Sequence, residues 1–92
     1  MMSASYLLST FRHHSSLTHM PKLPAIRPRE LVSKLKHLGF IEHHQVGSHL
    51  TLKQLTTGYR AVVPMHLKDV KKGTLSVLLR EAHVERDEFL DA

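Results

Sequence analysis

The 92-residue chain contains no cysteine. That excludes a disulfide framework and thiolate metal sites, so the fold must hold by packing alone. The absence suits a reducing compartment, and a cytoplasmic location is the expectation. No apolar run approaches the roughly 20 residues needed to span a bilayer, so no membrane partner is expected. The four glycines are isolated, and neither a phosphate-binding loop nor a dinucleotide fingerprint is present. No cofactor is expected. Acids are missing from the centre of the chain: none stands between Glu42 and Asp69. A Ser-His-acid triad there would lack its orienting third group. Ser48 and His49, as neighbours on a strand, would also point apart.

What is abundant is positive charge, and it is unevenly spread. From Met20 to Arg80 eleven Lys and Arg stand against three acids, a balance of about +8. From Glu81 to Ala92 five acids stand against one Arg, about −4. A basic body with an acidic end suits a polyanionic partner such as nucleic acid. A solvated basic surface without a partner has the same composition.

The length allows one domain, in which about 60% of the unfolded surface would be buried. Residues 1–24 read as an amino-terminal extension, disordered or not native to the domain, and residues 25–92 as the domain itself. Residues 1–19 hold no acid, one Arg and many Ser, Thr and His, and Met20-Pro21 looks like a second start. The spacing of Leu31, Val32, Leu35 and Leu38 predicts a helix from Pro28 to Leu38, with Pro28 suited to its first turn. Gly39 suits a left-handed cap. Phe40 to Val46 reads as a polar strand, and Gly47 as a turn or bulge. Next, Leu50 and Leu52 alternate with His49, Thr51 and Lys53, which share the opposite, exposed face. A turn over Gln54 to Gly58 and a strand over Tyr59 to Val63 follow, stopped by Pro64. After a loop, Gly73-Thr74 opens and caps a second helix running to about His83. Its N-terminus, with Lys71 and Lys72 just ahead, offers a phosphate site. One short helical turn over Glu85 to Leu90 would dock Phe89 and Leu90. The expected class is α+β: α-β-β-β-α, with two helices on one face of a three-stranded antiparallel sheet.

Nine histidines raise the question of metal. No His-x-x-x-His pattern falls on a helix, and His43 and His44, adjacent on a strand, would face opposite ways. No metal site is expected. What remains is His49 near lysines. Histidine ordinarily titrates at about pH 6.5, so it can give or take a proton in RNA cleavage while cations neutralise the phosphate. The residues alone leave open whether His49 does this or is merely a polar residue on an exposed strand.

Four short motifs occur in order: Leu35-Lys36-His37-Leu38-Gly39-Phe40, Gly47-Ser48-His49, Val62-Val63-Pro64-Met65-His66 and Lys72-Gly73-Thr74-Leu75. Together they resemble the HicA family of toxins, mRNA interferases of type II toxin–antitoxin systems, over about Arg29 to Leu90. The resemblance implies a fold like the double-stranded-RNA-binding domain. It implies a metal-independent endoribonuclease acting on single-stranded or messenger RNA, with His49, after Gly-Ser, as the catalytic residue. It also implies a HicB-type antitoxin that covers the site. Lys36, Gly47, Ser48, Lys53, Arg60, His66, Lys71 and Lys72 are the residues expected to bind RNA. Gly47 would let the backbone bend so that His49 faces outward, and Ser48 would bind a neighbouring strand or the RNA. His66 has two open roles, positioning RNA or bonding the start of the following helix. The amino-terminal extension and the His-rich Ile41-Glu42-His43-His44 depart from the family pattern. The alternative function is a non-catalytic RNA-binding module.

Overall fold

A computed structural model describes residues 23–92. Its elements are α1 (Pro28–His37), β1 (Phe40–Val46), β2 (His49–Gln54), β3 (Arg60–Pro64), α2 (Lys72–Glu81) and α3 (Arg86–Asp91). The three strands form one antiparallel sheet in the order β1-β2-β3. This is the expected α-β-β-β-α order with α3 as a short addition. The expectations for residues 1–22 lie outside the described residues. Leu23, expected in the extension, is buried in the core.

Alternation along the strands determines what the sheet can do. Phe40, Leu50, Leu52, Ala61 and Val63 face inward and are buried. They pack with Leu31, Val32 and Leu35 of α1 and Leu75, Leu78 and Leu79 of α2 in one continuous core. Phe89 of α3 closes that core and is fully buried. Lys34 Nζ ties α3 to α1 by donating to the Ala92 carbonyl at 3.0 Å. Both long helices therefore cover one sheet face. The other face stays open, with Ile41, Val46 and Val62 exposed on it.

Gly39 ends α1 at φ +91°, where an L side chain is strained. A Cβ there would also lie 2.9 Å from Gln54 Nε2. That amide donates to the Leu38 carbonyl at 3.2 Å, so the helix end is sealed by β2. The second helix starts differently from the expectation. Gly73 and Thr74 lie inside its first turn, and Lys71, extended and without a side-chain cap bond, precedes it. The reason is the chain's point of entry. Val70 is fully buried and bridged to Ile26 through two backbone hydrogen bonds of 3.1 and 2.7 Å, so the helix can begin directly after Lys71. At its other end, His83 takes the left-handed position usually given to glycine, at φ 59°. The Val84 N–H reaches back to Leu79 and the His83 N–H to Arg80, and the His83 ring stacks on Tyr59 at 3.7 Å.

Candidate active site

Gly47-Ser48 is a two-residue turn between the paired residues Val46 and His49. Gly47 has φ 58°, and a Cβ on it would meet nothing within 4 Å. The requirement for glycine is thus conformational: the first position of a tight hairpin turn needs a positive φ. The turn delivers His49 as the first residue of β2, on the open face and exposed.

The neighbouring strands bring further groups to this end of the sheet. Pro64 stands opposite His49 on β3. The two form a non-hydrogen-bonded pair on the edge strand, so the ladder needs no N–H from the proline, and the flanking bond comes from Met65, whose N–H donates to the Ser48 carbonyl at 2.7 Å. This clamp swings His66 back over the turn. Ser48 Oγ and His66 Nδ1 hydrogen-bond at 3.2 Å. The His66 ring centroid lies 5.9 Å from that of His49, with the rings tilted by 58°. Ser48 thus bonds the segment after β3, and His66 bonds Ser48 rather than the start of α2.

A bulge sets the rest of the face. The register slips between Glu42 and His44, leaving His43 without a partner in the ladder. Strict alternation from Phe40 would send His44 and Val46 inward. After the bulge they oppose Thr51 and His49 instead, and so share the outer face. The simple rule that adjacent strand residues face opposite ways does not apply across His43.

The expected RNA-binding residues fall into separate groups. Gly47, Ser48 and His66 gather around His49. Lys53 and Arg60 oppose each other on the same outer face. Lys53 is four residues along β2 from His49, a distance of about 13 Å. It therefore suits a neighbouring phosphate rather than the one at His49. Lys36 stands apart. It pairs with Glu42 at 2.6 Å, and Glu42 opposes the inward Leu52, so the pair lies at the sheet edge on the helix side. Lys71 and Lys72 are exposed where α2 begins.

Sequence reading missed one group of cations. An open groove of about 570 Å³ runs between the start of α1 and the loop after β3. Arg27, Arg29 and Lys68 line it, over an apolar floor of Pro28, Met65 and Leu67. Met65 and Leu67 flank His66, so this basic groove borders the histidine pair. The available signal was the run of charges around Pro28, but only the tertiary fold brings Lys68 to it. Among the described residues, no three His, Asp or Glu side chains converge as metal ligands. None of the described helices is long and apolar enough to cross a membrane.

A family model described as the HicA toxin of bacterial toxin–antitoxin systems matches residues 28–84. That span runs from the first residue of α1 to the core residue Val84. No curated protein matches the chain.

Proposed function

The chain belongs to the HicA toxin family, and from that premise we propose that it is an endoribonuclease that cleaves messenger RNA through His49 without a metal and is neutralised by a HicB-type antitoxin. The observation that carries the proposal is the placement of His49. Its ring is exposed at the head of an uncovered sheet face, 5.9 Å from His66, with cations on either side. A positioned proton-transfer group contributes about 10²–10⁴-fold to such a reaction. Cations that meet the developing phosphate charge add electrostatic stabilisation.

Two basic regions flank the histidines, and an RNA strand crossing the site meets both. On one side are Lys53 and Arg60, four strand residues away from the turn; on the other is the groove of Arg27, Arg29 and Lys68. Their charges bind the backbone without reading sequence. The exposed Ile41, Val46 and Val62 leave apolar surface beside these cations. An antitoxin seated on the same face would cover the histidines and this apolar surface together.

The test is expression in a bacterial host without the antitoxin. Wild type should arrest growth and degrade messenger RNA, and His49→Ala should do neither. A variant that still arrests growth and degrades RNA removes His49 from the mechanism. Bound but intact RNA with the wild-type protein would identify a binding module instead.

A further inference from the structure

We infer that His66 is a second proton-transfer residue of this site, acting as the general acid opposite His49, and that Ser48 positions it. This rests on the ribonuclease reading above and adds the residue that serves the leaving group. Three observations carry it. His66 is exposed, on a loop pinned by the Met65–Ser48 backbone bond. Its Nδ1 is held by the Ser48 hydroxyl at 3.2 Å. Its ring lies 5.9 Å from that of His49, whose own ring has no hydrogen bond among the described residues.

The hydrogen bond settles which nitrogen can act. A serine hydroxyl can donate to or accept from an imidazole nitrogen. Either way Nδ1 is occupied and Nε2 is the free nitrogen of the ring. In the imidazolium form Nδ1–H donates to Ser48 Oγ, and Nε2–H remains to be given away. Among the described residues the His49 ring has no such partner, which leaves its nitrogens able to accept. The spacing fits the reaction. A phosphoryl group held through hydrogen bonds of about 3 Å to each apical oxygen fits between two groups this far apart.

In the cleavage step, a ring nitrogen of His49 takes the proton of the ribose 2′-hydroxyl. The 2′-oxygen forms a bond to phosphorus. The bond from phosphorus to the 5′-oxygen breaks, and its electron pair goes to that oxygen. Nε2–H of His66 protonates it. The products are a 2′,3′-cyclic phosphate and a 5′-hydroxyl end. His49 leaves the step protonated and His66 neutral, and exchange with solvent restores both.

The experiment compares two RNAs carrying the cleavage position mapped with the wild-type protein. One is ordinary. In the other, sulfur replaces the bridging 5′-oxygen, and a thiolate leaves without needing a proton. On ordinary RNA, His66→Ala and His66→Gln should slow single-turnover cleavage by about 10²–10⁴-fold. On the sulfur-substituted RNA that deficit should shrink to less than about tenfold, while His49→Ala stays slow on both. Ser48→Ala should show a smaller deficit on ordinary RNA that also vanishes with sulfur. Matched thermal melting of the variants and wild type separates these effects from misfolding. An equal deficit for the His66 variants on both RNAs overturns the assignment. Failure of the wild-type protein to cleave ordinary RNA overturns the ribonuclease reading itself, and this inference with it.

Discussion

Replacing Arg60 by Glu should make the protein more stable and a poorer RNA binder at the same time. Lys53 and Arg60 are directly opposed cations on the open sheet face. Like charges in that position oppose sheet formation. With charged ends about 6 Å apart in a water-like dielectric, each unit pair is worth about 0.7 kcal/mol. Reversing one sign swings the interaction by up to twice that, and exposure and side-chain freedom reduce the gain to about 0.5–1 kcal/mol. For a domain this small, that corresponds to a rise in melting temperature of about 2–8 °C. In the same variant, affinity for single-stranded RNA should fall on the order of tenfold at low salt. The slope of log affinity against log salt should flatten by about 0.7 for each phosphate the protein no longer neutralises. Thermal melting and fluorescence anisotropy over a salt series measure the two effects. The double variant Lys53→Glu/Arg60→Glu restores a like-charge pair, so it should lose the added stability while binding RNA no better than Arg60→Glu. Unchanged RNA affinity with an unchanged salt slope would show that the strand does not cross this face. A lower melting temperature for Arg60→Glu would refute the electrostatic account of the pair.

Two further substitutions probe the frame around the site. Gly39→Ala combines a left-handed backbone with a Cβ 2.9 Å from Gln54 Nε2. It should cost about 2 kcal/mol through backbone strain and a disturbed helix-end bond, read by urea unfolding, and a cost near zero would contradict the role given to this cap. Lys36→Ala removes an exposed ion pair with Glu42 on the helix side of the sheet edge. Stability should change by less than about 1 kcal/mol, and RNA affinity should stay within a factor of two; a larger drop in affinity would extend the RNA path around that edge.

Much of the fold was legible because its signals are local. Leu31, Val32 and Leu35 at helical spacing, the alternation of Leu50 and Leu52 with His49 and Thr51, and Pro64 at a strand end each carry a physical requirement visible in a few residues. The bounds of β1 follow from Gly39 and Gly47, both of which adopt positive φ. The start of α2 was less legible. Thr74 resembles a capping residue, but the helix start is set by Val70, whose burial against Ile26 depends on a contact more than forty residues away in sequence. His83 gave no warning of its left-handed turn, since histidine replaces the usual glycine there. The bulge at His43 was hidden for a similar reason: nothing local distinguishes the extra residue from a paired one, and it reverses the facing of His44 and Val46.

The sequence motifs named His49, Ser48 and His66 as candidates, but not the contacts among them. The motif singled out His49, and the alternation placed it on the exposed face. Its partner emerges only from the pairing of β2 with β3. With Lys53 opposite Arg60, the register sets Pro64 opposite His49 and carries Met65 and His66 to Ser48. Counting residues across the loop between those strands would have found the pair had the register been known. The groove of Arg27, Arg29 and Lys68 has no such local rule, because α1 and the loop after β3 meet only through the core.

The most direct test of the central claim is single-turnover cleavage of end-labelled messenger RNA by purified protein in a chelator-containing buffer, with wild type and His49→Ala compared at saturating protein. Wild type should cleave. His49→Ala should bind the same RNA within about threefold and cleave it at least about 10²-fold more slowly. Equal cleavage by both proteins would contradict the account, and so would wild-type binding that leaves the RNA intact.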